Sequence, residues 1–371
     1  MTGSSSRPLE GIRVVELVGI GPGPYAGQLL ADLGAEVIAI DRPTPRPPLV
    51  TDRGKRSVIL DLRAEGAAEA VLKLSETADL LIEGFRPGVA ERLGVGPEAV
   101  HARRPALVYG RMTGWGQTGP WAKTAGHDIN YVGLTGALHA MGEAGRPPTP
   151  PLNLVGDYGG GSLFLVTGLL AGLLRARTTG EGSVVDAAIV DGVASLMGIV
   201  PSLAALGMWS EERQDNMIDG GAPYYRCYAC RDGGYMAAGP IEPQFFAIML
   251  DVLGIDPAAY GGQNDKDRWP AQHAMLEATF AERTRDEWAA VFSGTDACVT
   301  PVLTWREARE HPQGAARNLY PAAQNHVQPK VAPVIGADAP VPPLPDRGAH
   351  TSEVLGELGL TADDIARISA R

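Results

Sequence analysis

Along the first 110 residues, short continuous apolar runs alternate with longer segments whose apolar positions recur every three to four residues. The runs at 12–17, 36–40, 57–62, 79–85 and 106–111 are rich in Val, Ile and Leu and read as strands. Between them, 24–33, 64–76 and 88–102 carry helical spacing. Strands that are apolar throughout are covered on both faces. The alternation therefore predicts a parallel sheet flanked by helices, with ligand-binding loops at the carboxyl ends of its strands. A Gly-rich loop follows at 113–120, then a segment starting near Gly126 that turns helical to about residue 140. Prolines at 147, 148, 150 and 151 separate it from 153–175, a loop running into a long apolar helix. A strand and a further apolar helix occupy 183–210.

Around 211–223 the chain becomes charged and Gly-containing, a candidate boundary. Residues 224–239 read as a β-hairpin with Asp232-Gly233-Gly234 at its turn. Helical stretches at 244–253, 269–281 and 284–292 and a strand at 298–303 complete a smaller α+β unit. Residues 332–346 are Pro-rich and extended, and two short helices close the chain, the second opened by Thr361 with Asp364 three positions on. The expected architecture is α/β. A large Rossmann-like domain spans 1–210 and is completed by about 325–371; a small α+β domain spans 222–303; 211–221 and 304–324 are linkers. No internal repeat is evident.

The 371 residues carry 32 Lys plus Arg against 43 Asp plus Glu, a net charge of −11. That balance argues against nucleic acid or an anionic membrane as the main partner, while leaving room for a local phosphate site. Three cysteines are too few for a disulfide scaffold and fit a reducing, cytoplasmic setting. The opening MTGSSSRPLE lacks the apolar core of a signal peptide. The apolar stretches 163–174 and 192–209 fall short of a clean run of about 20 residues, so buried helices are expected rather than membrane spans.

One candidate for chemistry is deceptive. Gly21-Pro22-Gly23-Pro24-Tyr25-Ala26 satisfies G-x-G-x-x-A between a strand and a helix, and Asp41 closes the next strand 20 residues later, as in a dinucleotide site. Such a site offers backbone N–H groups to a pyrophosphate, and Pro22 and Pro24 have none. Arg42 beside Asp41 also suits a phosphorylated nucleotide better than a free 2′-hydroxyl. A structural turn or another nucleotide's site is the expectation. Cys227-Tyr228-Ala229-Cys230 lacks the second ligand pair that zinc needs and the helix that backs a redox pair, leaving two strand residues on a hairpin.

The basic residues Arg42, Lys55, Arg56, Arg63, Arg86, Arg92, Arg103 and Arg104 stand near the ends of the expected strands. Single surface arginines are usually solvated charges, but a ring of them at the carboxyl edge of a sheet makes a phosphate site. Of the seven histidines, His127 lies between a Gly-rich loop and a helix start. Most isolated histidines are structural. Here Asp128 can cap the helix and leave its free N–H groups to stabilise a developing oxyanion. Asp157 sits among glycines just before the long apolar helix, where an N-cap role competes with an active carboxylate. Glu242 follows the hairpin and precedes a helix, where the dipole alone would favour an acid.

Segments spanning nearly the whole chain carry a specific likeness. They are LEGIRVVEL (9–17), GPGPYAG (21–27), DLGAEVI (32–38), IDRP (40–43), EGFRPGV (83–89), RMTGWGQTGP (111–120), AGHDINY (125–131), PLNLVGDYGGGS (151–162), VDAAIVDG (185–192), GGAPYY (220–225), IEPQF (241–245) and DACVTPVL (296–303). With them the chain resembles the family III CoA-transferase (CaiB/BaiF) superfamily and, within it, the α-methylacyl-CoA racemases. The resemblance implies a Rossmann-like large domain that binds coenzyme A, a small domain on long linkers, and two subunits interlocked as a homodimer. The active site would then lie between the large domain of one subunit and the small domain of the other. Coenzyme A would contact Arg42, Leu60, Asp61, Leu62, Arg63, Gly84, Phe85, Arg86, Arg92, Gly126, Ile129, Asn130 and Tyr131. Transferases of this superfamily carry an aromatic residue where His127 stands and a Gly-rich loop where 239–244 stands, so both differences favour a racemase.

Racemisation next to a thioester removes a proton from one face of a carbon and returns one to the other, so two bases must flank it. An imidazole, ordinarily near pKa 6.5, and a carboxylate can each serve as base and, once protonated, as acid. His127 and Asp157 are the expected pair. Glu242 would orient His127 and favour its protonated form, the Asp128 backbone N–H would bind the enolate oxygen, and Asn153 would support Asp157. Met112, Met197, Met208, Met217 and Met236 would suit an adaptable surface for the acyl chain, though methionines are commonly plain core. The expected function is interconversion of (2R)- and (2S)-2-methylacyl-CoA with no metal or cofactor beyond the coenzyme A of the substrate. The alternatives are a CoA transferase with Asp157 as nucleophile, an NAD oxidoreductase and a non-catalytic CoA-binding scaffold.

Overall fold

The computed structural model describes residues 7–323 and 326–370, so the polar start of the chain at 1–6 and the end of the expected linker lie outside the described residues. The apolar runs form strands β1 (Arg13–Leu17), β2 (Glu36–Asp41), β3 (Lys55–Ile59), β4 (Leu80–Glu83), β5 (Val108–Thr113) and β6 (Ser183–Ala188). They pair in one parallel sheet of order β3-β2-β1-β4-β5-β6. The register sets Val14 between Val37 and Leu80, so apolar side chains of neighbouring strands stack in rows on both faces. The strand order reverses between β1 and β4. In such sheets a crevice opens there, beyond the carboxyl ends of the strands.

Helices α1 (Pro22–Asp32), α2 (Ala67–Glu76), α3 (Val89–Arg92), α4 (Pro97–Arg103), α5 (Asp128–Leu134), α6 (Leu163–Thr179) and α7 (Ile189–Leu196) belong to the same unit. The expected helix over 88–102 is two: Gly94 takes a left-handed φ of 75°, and Pro97 starts α4 afresh. The expected loop at 153–162 is instead π-helical over Leu154–Ser162 and runs straight into α6. Together these 26 residues are long and apolar enough to cross a membrane by length and composition. In this fold Leu165, Leu169 and Leu173 of α6 are buried, the first two against Gly110 of β5.

The second unit comprises Gly136–Pro150 and Met197–Arg317. It contains α8 (Ile199–Ala205), β7 (Arg226–Ala229), β8 (Tyr235–Ala238), α9 (Pro243–Leu253), α10 (Pro257–Tyr260), α11 (Trp269–Phe280), α12 (Arg285–Phe292), β9 (Val299–Pro301), α13 (Trp305–Glu310) and α14 (Pro312–Ala316). Strands β7, β8 and β9 form an antiparallel sheet over an aromatic core in which Tyr228 stacks on Phe280 at 5.0 Å. The sequence pattern placed 136–150 and 197–210 in the large domain, whereas they group with this unit. The Arg213 guanidinium shows why for the first segment, donating to the carbonyls of His139, Glu143 and Arg146.

From Asn318 the chain returns to the first unit and ends in α15 (Thr351–Glu357) and α16 (Ala362–Ser369). Thr361 caps α16 as the sequence suggested, accepting from the Asp364 N–H. Val354, Leu355 and Ile368 complete the core formed by Val15, Ile38, Val58, Val71, Leu81 and Val100.

Candidate functional site

At the reversal between β1 and β4 the first unit holds two adjoining cavities, of about 520 and 540 Å³, which share Leu17 and Phe85 as lining residues. The second is walled by Arg42, by Leu60, Asp61, Leu62 and Arg63, and by Arg92. Strand β3 starts and ends earlier than its apolar pattern suggested, which leaves 60–63 as a loop at the carboxyl edge. There Asp61 Oδ1 accepts the Arg63 N–H at 3.0 Å. The first cavity is walled by Gly84, Phe85, Arg86, Gly126, His127, Tyr131 and Asp157, among others. The loop carrying Phe85 and Arg86 is held from below: Glu83 Oε2 accepts the Phe85 N–H at 2.6 Å and Oε1 accepts Arg111 Nε at 2.9 Å. Arg111 also pairs with Glu91 at 2.8 Å, steadying the helix that bears Arg92.

His127 is the residue before α5, with extended backbone, and its ring is exposed at the cavity wall. The Asn130 side chain accepts the His127 N–H at 3.0 Å, fixing the angle at which the chain enters the helix. Tyr131 packs edge-on against Trp115, ring centroids 4.7 Å apart, and its hydroxyl donates to the Gly126 carbonyl. Ile129 is exposed on the same helix. The Asp128 backbone N–H, in the first turn of α5, precedes every intrahelical acceptor.

Asp157 is carried by the π-helical segment. A methyl on Gly192 of α7 would lie 1.9 Å from the Gly160 carbonyl oxygen, so two glycines let these helices touch backbone to backbone. Ser162 Oγ donates to the carbonyls of Pro22 and Asp157, tying the segment to the start of α1. The Asp157 backbone N–H donates to Asp128 Oδ2 at 2.6 Å. The Asn153 side chain makes no hydrogen bond to Asp157 among the described residues; Asn153 contributes its carbonyl, which accepts the Tyr158 N–H. Burial, and then the adjacent Asp128 charge, push the Asp157 carboxyl up to about 6 against the opposing pull of His127.

Other expectations change. Of the basic residues, Arg42, Arg63, Arg86 and Arg92 line the cavities. Lys55 and Arg56 instead open β3, at its amino end. Lys55 is buried in an ion pair with Glu16 at 2.5 Å, and Arg56 pairs with Glu36, Glu353 and Glu357. Arg103 is engaged by Glu69 and Glu76. Asp41, positioned for a ribose in the false fingerprint, accepts from Arg46 and Arg347. Where a pyrophosphate would approach, a methyl on Gly21 would stand 2.9 Å from Asp157 Oδ2, so a carboxylate already occupies that end of α1. Met112 lines the first cavity, but Met236 is fully buried in the core of the second unit and leaves the proposed acyl surface. Glu242 lies in the second unit, exposed at the start of α9, on a loop held by Gln263 through the Pro240 and Ile241 carbonyls. Cys227 lies within β7 and Cys230 just after it, both as free thiols.

Sequence reasoning missed three features: the reach of the Asp128 carboxylate to Asp157, the Ser162 clasp, and the Glu83–Arg111–Glu91 support. Each joins positions remote in the chain, and no local pattern announces it.

With this geometry in view, the comparisons with known proteins are specific. The model of the CoA-transferase family III matches residues 9–351. The chain is 40% identical to "Alpha-methylacyl-CoA racemase" of Mus musculus, covering 97% of this chain and 96% of the relative. The Homo sapiens protein of that name is also 40% identical, covering 98% and 96%. A crystal structure of a CAIB/BAIF family protein from Brucella suis superposes with a TM-score of 0.82 at 28% identity, over 95% of this chain and 100% of that one. The chain belongs to the CoA-transferase family III.

Proposed function

We infer that the protein is an α-methylacyl-CoA racemase, an isomerase that inverts carbon 2 of 2-methylacyl-CoA thioesters. The observation that carries the reading is an imidazole and a carboxyl at the wall of one cavity, His127 and Asp157, with the carboxyl raised to about 6. At an ordinary carboxylate value, Asp157 would be a poor proton donor near neutrality. At about 6 it can both accept and donate. One of the pair takes the C2 proton while the C–H electrons move into the thioester as an enolate. The other then delivers its proton to the opposite face. The Asp128 backbone N–H receives the developing oxyanion. Only a proton is transferred, so the chemistry calls for no redox partner.

The adjoining cavity suits the nucleotide end of coenzyme A, with Arg42, Arg63 and Arg92 for its phosphates and Arg86 beside the reacting end. In the first unit Leu154, Leu163, Leu174 and Leu196 are 59, 50, 70 and 52% exposed, an apolar surface that supports an interlocked homodimer as the working form. The test is proton NMR of a single 2-methylacyl-CoA epimer in heavy water with no second acid present. Loss of the C2 proton signal with formation of the other epimer supports the racemase. No exchange there, but CoA transfer through an adduct on Asp157 once an acceptor acid is supplied in a second reaction, supports the transferase instead.

A further inference from the structure

The Asp128 side chain is unexplained by the role given to its backbone. Its Oδ2 accepts the backbone N–H of Asp157, 29 positions along the chain, at 2.6 Å. Its Oδ1 is buried with no hydrogen-bond partner among the described residues. A methyl on Gly156 would stand 2.3 Å from Oδ2, so the carboxylate reaches Asp157 only because the preceding residue is glycine. A buried carboxylate with one oxygen unpaired is costly, and a neutral residue of similar shape would relieve that cost. Asp128 is also covalently next to His127, so its side chain ties the Asp157 segment to the helix that begins beside His127.

We propose that the Asp128 carboxylate is a positioning residue that locks the π-helical turn of Asp157 onto the His127 helix and keeps a negative charge against the Asp157 carboxyl. The proposal rests on the proton-relay reading of Asp157. The charged and titratable groups that act on that carboxyl are His127, Asp128 and Tyr131, all on the α5 side. Arg86, from the loop after β4, lines the same cavity and is electrostatically coupled to Tyr131. Asp128 is the neighbour whose charge raises Asp157, and His127 the one that opposes it.

The test begins with the full chain and no substrate: ¹³C NMR titration of the carboxyls, with Asp157 assigned through Asp157→Asn. In the wild type Asp157 titrates at about 6. In Asp128→Asn, which keeps an oxygen to accept the Asp157 N–H, the midpoint falls below that value and stays above 3.8, because burial, the larger cause, remains. The acid limb of kcat/KM moves to lower pH in the same variant, with KM within about twofold of wild type. Asp128→Ala, lacking any acceptor, loses more turnover than Asp128→Asn. An unmoved midpoint and an unmoved limb in Asp128→Asn overturn the proposal. Absence of wild-type C2 exchange would overturn the racemase reading instead and leave the NMR result standing.

Discussion

Lowering the pH through the Asp157 midpoint is the most revealing perturbation of the proposed relay. Inversion requires the His127–Asp157 pair to hold one proton: with none it lacks an acid, and with two it lacks a base. The equilibrium between two epimers does not depend on pH, so kcat/KM for (2R) and (2S) substrates must trace the same bell. The structure sets its acid side. Asp157 is raised, so protonation that would begin near pH 4 for an ordinary carboxylate occurs at about 6. At pH 7 about one such carboxyl in eleven keeps its proton, against about one in 1,600 at 3.8, a gain of about 150-fold in available acid. Below pH 6 the rate should fall about tenfold for each pH unit. Initial rates from each epimer, followed by chiral separation of the acyl-CoA esters from pH 4.5 to 9, measure both limbs. An acid limb near 4, or bells that diverge between epimers, would refute the shared-proton reasoning.

Three substitutions probe the supports. Gly21→Ala places a methyl 2.9 Å from Asp157 Oδ2 at a φ of +73°, so the variant loses about 1–2 kcal/mol in urea unfolding and about tenfold in kcat, with KM little changed; wild-type kcat would show that the carboxyl is not held where the structure has it. Asp157→Asn removes a carboxyl whose raised pKa costs the native state stability once pH rises through about 6, and so stabilises the fold at pH 7 by about 1 kcal/mol after screening of this half-buried group. Below pH 4 the gain vanishes, and unfolding midpoints that shift equally at both pH values would contradict the assignment. Lys55→Met leaves Glu16 buried without its partner beneath α1 and costs about 3–5 kcal/mol by denaturant unfolding, where a loss under 1 kcal/mol would deny the pair its structural role.

The parallel sheet was legible because β1, β2, β4 and β5 are apolar on both faces, a pattern that only a doubly covered sheet explains. The helix cap at Thr361 was equally local, reading as Thr with an acid three residues on. His127 and Asp157 stood out through their glycine-rich settings, and the structure sets both at one cavity. The winding of 154–162 was not legible. Its glycines look like a loop, and they form a π-helix because Gly192, Ser162 and Asp128 hold them from other parts of the chain. The basic ring misled for a related reason. Residue type alone cannot tell Lys55, buried against Glu16 at the amino end of β3, from Arg63, which lines the cavity at the carboxyl end.

The central claim is that two different residues serve opposite faces of one carbon. Hydrogen exchange at C2 in heavy water, followed for each pure epimer with Asp157→Asn and His127→Ala, tests it most directly. Each variant should lose inversion, and each should still exchange C2 hydrogen from the one epimer whose proton faces the surviving base, with opposite epimers for the two variants. Inversion at near wild-type rate in either variant, or exchange from the same epimer in both, would contradict the account.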